Sequence, residues 1–464
     1  MKQRSVSFAS LILALLPSMF TGAPARADAP AKSLEERLDA IVKDTYANED
    51  EPGAAVIVVV DGKPVLRKGY GVADTESGAK VTPETVFRIG SVTKQFTAVA
   101  ILQLVQQGKV KLDDPITKYV DDFNPRGKTI TLEHLLSHAS GIPNYTEGPG
   151  FQEIGTRKLS PREIVALVDE KPLEFEPGSK FKYSNTNYVL LGMAIEKASG
   201  QAYADYMLEH VFKPAGMTST RYGPNDITDE RHAQGYEASQ DGFKPARPMD
   251  MSQPFSAGAI ESTVDDLWSW TRSVSEGKLV DPKLIDRAWT PYAVTDGKSN
   301  YGYGWEISRD REAPGERWMR HGGGINGFMS FAVWIPERKV FVAVLSNAMS
   351  RANPGQLCRS LALEALGRSP KQRVAITLDE KTLDKYLGVY EISPAFKLTV
   401  TREGQRLFIQ GTNQPKGEVF AESADFFFAK VVDAQFEFHV EGDRATSVTL
   451  HQNGRSVNAK RVEP

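Results

Sequence analysis

Ser91-Val92-Thr93-Lys94 sets a hydroxyl and an amine one helical turn apart, so the two side chains share a helix face. A serine so placed can attack a carbonyl carbon if a base takes its proton. Lysine buried among apolar neighbours loses proton affinity and can be that base. The free N–H groups and positive dipole end of a helix start also favour the oxyanion that such an attack creates. The spacing does not select by itself, because Ser77/Lys80, Ser179/Lys182 and Ser275/Lys278 repeat it. Ser77 sits beside Gly78, Ser179 follows Pro177-Gly178, and Ser275 lies at a helix end marked by Gly277; only Ser91 opens a long apolar helix. Taken alone, Ser91 also reads as a helix N-cap with a solvated lysine one turn on.

Tyr183-Ser184-Asn185 falls in a polar segment between a short strand-like run and a helix expected from Tyr188, where side chains can face a cleft. A phenol near two cations could lose its proton below its usual range, so Tyr183 could activate a hydroxyl or protonate a leaving group. Asn185 could hold the lysine or a substrate amide. Tyr46-Ala47-Asn48 repeats the pattern, and turn chemistry alone accounts for it. His321-Gly322-Gly323-Gly324 comes just before an expected strand, where glycines let a substrate lie against the backbone and accept N–H hydrogen bonds. The competing reading is a glycine-rich strand connector.

The elements that must position these residues follow from periodicity. Leu34, Leu38, Ile41 and Val42 predict a helix, followed by a β-branched strand over Ala54 to Val60 and an Asp61-Gly62 turn into Pro64 to Tyr70. Ser91 to Gln107 is apolar on most sides and stops at Gly108, which predicts a buried helix. Helix signals continue to about Arg231, including Tyr188 to Ser199 with its stop at Gly200. Trp305 to Ser308, Gly327 to Ile335 and Val340 to Ser346 predict strands, with Pro336 to Lys339 turning between the last two, and Gln356 to Leu366 a closing helix. Strands at both ends of a helical middle predict an α+β body, an antiparallel sheet flanked by helices with a helical lobe. Beyond a polar bridge at Gly367 to Arg373, strands are expected at Lys397 to Thr401, Arg406 to Ile409, Asp425 to Val432, Gln435 to Val440 and Ser447 to His451. They predict a small C-terminal all-β domain.

Met1 to Arg4 carry two cations, Val6 to Phe20 run almost wholly apolar, and Ala25-Arg26-Ala27 places small residues at a cleavage point. That order predicts a signal peptide over residues 1–27, removed on export to the periplasm or medium. The expected organisation is then a hydrolase-like body over 28–366, a linker over 367–376 and the β domain over 377–464. No stretch is long enough to predict a stable membrane span. Cys358 is the only cysteine, so no intrachain disulfide can form. The net charge of −3 grows more negative when Lys2, Arg4 and Arg26 leave, and no long basic run remains, so no nucleic-acid partner is expected.

Ser91-Val92-Thr93-Lys94, Tyr183-Ser184-Asn185 and His321-Gly322-Gly323, in that order, resemble the serine β-lactamase and penicillin-binding protein superfamily in its class C-like branch. The resemblance spans about Leu34 to Leu366 and includes Phe87-Arg88-Ile89-Gly90 and Leu135-Leu136-Ser137-His138-Ala139-Ser140-Gly141. It implies a nucleophile at Ser91, proton exchange by Lys94 and Tyr183, positioning by Asn185, and an oxyanion held by the N–H groups of Ser91 and Gly324. Water would hydrolyse the ester intermediate, with no cofactor and no metal. The third motif departs from the lysine-threonine-glycine form of many β-lactamases, with His321 for the lysine and Gly322 for the hydroxyl residue. A substrate carboxylate thereby loses a partner, and the pattern is closer to DD-peptidases, D-amino-acid-specific peptidases and esterases. The expected substrate is a small molecule or peptide carrying an amide or ester, D-alanyl peptides among them. A weak β-lactamase, or a penicillin-acylated sensor without turnover, are the alternatives. The tail resembles lipocalin-like β domains appended to such hydrolases, there to shape access to the cleft or to stabilise the chain. The sequence carries no mark of oligomeric state.

An α/β-hydrolase, which also uses a His-Gly-Gly-Gly loop, needs a Gly-x-Ser-x-Gly elbow that is absent here. His134 and His138 stand four apart, yet Leu135 occupies the place of a zincin glutamate, which leaves them structural. Asp113-Asp114 and Asp265-Asp266 read as a loop and a helix start.

Overall fold

The computed structural model describes residues 32–463 except 224, 226–228, 240–241, 350–352, 369–374, 395, 430–433 and 453–454. The signal-peptide segment, most of the linker and the end of the expected Asp425 to Val432 strand lie outside the described residues. Residues 1–33 separate from a second unit, residues 34–464, and everything below concerns that second unit.

Helix α1 (Leu34–Thr45) leads into β1 (Ala54–Val60) and β2 (Lys63–Tyr70). Helix α2 (Thr93–Gln106) and helix α3 (Asn185–Ser199) belong to the helical lobe. The chain then returns as β3 (Glu306–Asp310), β4 (Ala313–Ile325), β5 (Phe328–Ile335) and β6 (Val340–Ser346), closed by α4 (Pro354–Ala365). These six strands form one antiparallel sheet in the order β2-β1-β6-β5-β4-β3. β1 has no polar residue because it is central: Val56 and Val58 face α1 and α4, while Ala55, Ile57 and Val59 face the helical lobe. α2 is buried from Thr93 to Leu104, and Trp270 stacks on its Phe96 at 4.1 Å, so its all-round apolarity marks a helix at the centre of the lobe.

Three boundaries differ from expectation. No strand precedes Tyr183, and α3 starts at Asn185, three residues ahead of Tyr188, because the Asn144 side-chain oxygen accepts the Asn185 N–H and the Pro143 main-chain carbonyl accepts the Thr186 hydroxyl. The His321-to-Gly324 run precedes a strand, β5, as expected, but is itself the end of β4, which the sequence hides behind charged residues and glycines. Pairing along β5, from Phe328↔Ile325 to Trp334↔Met319, overrides that weak propensity.

The C-terminal domain is a closed eight-stranded barrel: β7 (Gly388–Ser393), β8 (Phe396–Glu403), β9 (Arg406–Gly411), β10 (Gly417–Ala421), β11 (Phe426–Ala429), β12 (Ala434–Glu441), β13 (Arg444–Gln452) and β14 (Arg455–Glu463). β7, β10 and β14 were not expected from the pattern; they are short or largely polar, and closure supplies the partners that their own composition does not demand. The fold is thus the expected α+β body, an antiparallel sheet with a helical lobe, with an appended all-β domain. Among the described residues no helix is long and apolar enough to cross a membrane.

Candidate active site

Ser91 lies in a 3-10 turn, Gly90–Val92, that runs directly into α2. Its side chain caps nothing; Lys94 Nζ lies 3.0 Å from its Oγ instead. Gly90 takes φ +49°, and a Cβ there would stand 3.0 Å from the Gly324 nitrogen, so the turn is pressed against β4. Ser330 Oγ donates to the Ile89 carbonyl at 2.7 Å, and that same carbonyl fills the space where a Gly323 side chain would begin, 2.0 Å away. Gly322 is similarly filled by the Phe331 ring at 3.0 Å, whereas Gly324 meets only Met329 Sδ at 3.5 Å. Two of the three glycines therefore serve protein packing, and Gly324 alone is exposed. β3 pairs with β4 only as far as Arg320, so among the described residues the His321–Ile325 end of β4 has a strand on one side and an open edge towards the cleft.

Lys94 is fully buried, and burial holds its amine well below the usual lysine range. Its Nζ meets three oxygens: Ser91 Oγ at 3.0 Å, Asn185 Oδ1 at 2.7 Å and the Ala257 carbonyl at 2.8 Å. A neutral amine has two N–H donors and one lone pair. The amide and main-chain oxygens can only accept, so they take the two donors and leave the lone pair for the Ser91 hydroxyl. Asn185 cannot turn freely, since its Nδ2 donates to Thr146 Oγ1 at 3.3 Å and its main-chain N–H donates to Asn144 Oδ1 at 3.1 Å. Ala257 sits on a one-turn helix, Phe255–Gly258, fixed by Ser256 Oγ donating to the Tyr188 carbonyl at 2.8 Å.

Tyr183 hydrogen-bonds Ser91, and its ring centre lies 4.8 Å from Lys94 Nζ. Burial pushes the phenol above its usual range, which favours the proton-donating one of its two expected roles over the phenolate base. Behind it, His138 stacks at 4.3 Å from ring to ring and accepts the Ser184 N–H on Nδ1 at 3.2 Å. His321 also enters the site neutral. Its Nδ1–H donates to the Gly322 carbonyl at 2.6 Å, which leaves Nε2 to accept the Tyr301 hydroxyl at 2.8 Å. Burial brings its pKa down to about 4, against the opposing field of Glu306.

The structure thus gathers Ser91, Lys94, Tyr183 and Asn185 around one pocket, with His321 to Gly324 along its β4 wall. His134 stands apart, its Nδ1 accepting the Thr131 N–H at the start of its own short helix, Leu132–Leu136. No group of three or more potential ligand side chains that could hold a metal occurs among the described residues. Sequence reasoning missed the Ala257 carbonyl, which has no side-chain signature, and Tyr301, whose role depends on a contact across the sheet edge. The Leu135-to-Gly141 stretch did point to His138, without saying what it supports.

The family described as Beta-lactamase matches residues 38–367, and a Domain of unknown function (DUF3471) matches 372–461. Penicillin-binding protein 4* of Bacillus subtilis (strain 168) is 27% identical over 446 residues, 90% of this chain and 97% of that protein. The octameric penicillin-binding protein homologue from Pyrococcus abyssi superposes with a TM-score of 0.67 at 28% identity, covering 92% of this chain and 99% of its own. D-amino acid amidase from Ochrobactrum anthropi SV3, complexed with L-phenylalanine amide, gives a TM-score of 0.63 at 27% identity over 72% of this chain and 98% of its own.

Proposed function

The chain belongs to the Beta-lactamase family of serine hydrolases, and from that premise we propose that it is an exported acyl-serine hydrolase of D-amino-acid amides and esters. The observation that carries the reading is the oxygen set around Lys94 Nζ, which spends both N–H donors on Asn185 and Ala257 and aims the remaining lone pair at Ser91.

Ser91 Oγ attacks the substrate carbonyl carbon while its proton passes to Lys94, and the oxyanion lies against the N–H groups of Ser91 and Gly324. As the C–N or C–O bond breaks, the protonated Tyr183 phenol gives its proton to the leaving atom and regains one from the Lys94 ammonium beside it. Water then attacks the Ser91 ester, its proton going to the same base, and the acid leaves as the Ser91 hydroxyl is restored. Asn185 orients Lys94 through all of these steps. His321, neutral with both ring nitrogens engaged, shapes the β4 wall and offers no cation to a carboxylate next to the scissile bond. This favours an amide or ester without that carboxylate over a β-lactam. The similarity to D-amino acid amidase supports the same class. The similarity to penicillin-binding protein 4* supports acylation of Ser91 by penicillin, and a D-alanyl peptide, which carries that carboxylate, is the less favoured substrate.

The basic, apolar and small-residue order of residues 1–27 supports export to the periplasm or medium. In this reading 28–366 are the hydrolase, 367–376 the linker and 377–464 the β domain.

Intact-protein mass spectrometry decides the chemistry. The protein and Ser91→Ala are exposed in turn to D-phenylalanine amide, an activated ester, a D-Ala-D-Ala peptide and penicillin. Transient acyl adducts with turnover of the amide and ester, both absent in Ser91→Ala, are expected. A penicillin adduct that persists while no substrate turns over would make the protein a sensor and end the proposal.

A further inference from the structure

A cavity of about 580 Å³ lies on the α4 side of the sheet, away from Ser91. Its floor comes from one face of the edge strands: Trp318 and Arg320 on β4 alternate with residues of the nucleophile side, and Glu306 and Ser308 lie opposite them on β3. Its roof is the barrel. Leu450 packs on the barrel core and pairs across β13 and β14 with Val457, so the inward face of those strands opens onto the body at this point, with Gln452 at the rim. The volume suits a small ligand, and barrel mouths and domain junctions are where such sites form.

Two donors in this floor lack acceptors. Trp318 is 2% exposed, and its Nε1–H has no hydrogen-bond partner; the Nε of Arg320, two residues on and on the same strand face, is also buried without one. Glu306 lies 3.3 Å from that Nε as an ion pair without making a hydrogen bond to it. Both nitrogens are closed off from the cavity, so a guest meets the open end of the Arg320 guanidinium and not these two donors. Charge sets its sign. Arg309, Arg320 and Arg359 face Glu306 and Asp310 in the lining, and Arg359 already spends a two-point contact on Asp310, at 2.6 and 3.0 Å. Three guanidiniums against two carboxylates favour an added anion. Phe331, Leu450 and Val457 supply an apolar wall for an aliphatic group.

We propose that this cavity is a second ligand site, distinct from the Ser91 cleft, for a small carboxylate that carries an aliphatic group. The carboxylate meets the open end of Arg320, and the aliphatic group enters the barrel mouth. The proposal gives the barrel a binding role and does not depend on what Ser91 hydrolyses.

The test is calorimetric titration of full-length Ser91→Ala, which cannot turn over its ligand, with acetyl-glycyl-leucine and with its C-terminal amide. One-to-one binding of the acid is expected, with the amide weaker by about tenfold or more. Adding Arg320→Gln or Gln452→Trp weakens the acid to a similar degree, the first by removing a donor and the second by filling the mouth from an exposed barrel position. Circular dichroism checks that both variants fold, and Gln452→Trp carries the test if Arg320→Gln does not. No saturable binding, equal affinity for acid and amide, or unchanged affinity in Gln452→Trp would each overturn the proposal. Turnover by the unmutated protein is scored separately, so the two readings fail independently.

Discussion

The Ser91 pocket and the C-terminal barrel bury their interiors in opposite ways. Around Ser91 the fully buried Lys94, Thr97, Thr186 and Asn187 are hydrogen-bonded across four separate segments of chain. In the barrel the described buried side chains, from Leu383 to Ala459, are aliphatic or aromatic, and among them only the Tyr386 and Tyr390 hydroxyls are polar, each donating to a main-chain carbonyl. A polar interior must be satisfied group by group, so each side chain has one position and a change there alters chemistry before it alters stability. An apolar interior is held by shape and area, so a change there costs stability and leaves chemistry alone. Reactivity at Ser91 follows from this division: the pocket can hold an uncharged lysine only because its neighbours are fixed acceptors.

Lys94→Met tests that division hardest. Removal of the base lowers kcat/KM for the activated ester by about a thousandfold. Stability moves the other way with pH. Lys94 binds its proton less tightly folded than unfolded, so between its lowered folded pKa and the ordinary lysine value the unfolded chain holds the extra proton, and folding stability rises with pH. Denaturant titrations of the mutant across that window should lack this rise. A mutant that unfolds at every pH would mean that the pocket needs the two hydrogen bonds of the amine to stay folded.

The next effect lies within three residues of β4. Gly323→Ala drives a methyl into the Ile89 carbonyl and shifts the Ser91 turn, so kcat falls about a hundredfold, as expected for a misplacement of about an ångström. Gly324→Ala meets only a flexible methionine sulfur at 3.5 Å and stays within a few-fold of the unmutated protein. Steady-state kinetics on the pair, with melting temperatures, distinguish a displaced nucleophile from a collapsed sheet. Equal losses would show that the glycines serve substrate approach alone.

A smaller effect is the pH dependence itself. The active form requires Lys94 unprotonated, so kcat/KM rises tenfold per pH unit below its lowered pKa and levels off above it. His321, with its pKa at about 4, contributes no inflection near neutrality. A limb that falls between pH 6 and 7 on acidification and disappears in His321→Asn would assign the titrating group to the histidine.

What could be read from the chain before folding follows the same division. Ser91, Lys94, Tyr183 and Asn185 are legible because side-chain chemistry at fixed spacing leaves a mark, and β1 and α2 because burial on all sides leaves a continuous apolar run. The Ala257 carbonyl is invisible, since any residue would supply it. β4 is hidden because Arg317, Arg320 and three glycines break the alternation that reveals a half-buried strand, and β14 because Asn458 and Lys460 face outward from a wall that only closure completes. Which of its two roles Tyr183 takes is not legible, because a sequence shows neighbouring groups only as a list, and the burial that raises the phenol comes from the fold.

The mildest prediction for activity is the most severe for the barrel. Phe438 is 2% exposed and packs its ring 4.7 Å from Tyr386 and 5.5 Å from Phe427, so Phe438→Ala removes about 3–5 kcal/mol from the barrel. If the two interiors are independent, calorimetry shows the barrel transition falling while the hydrolase transition stays, and ester turnover below both is unchanged within twofold. If turnover is lost along with the barrel transition, the apolar domain is holding the polar pocket in place. Chemistry and stability would then be coupled across the β3–β4 edge, where Arg311 at the hairpin turn already lies 5.9 Å from the ring of Phe426 on the barrel.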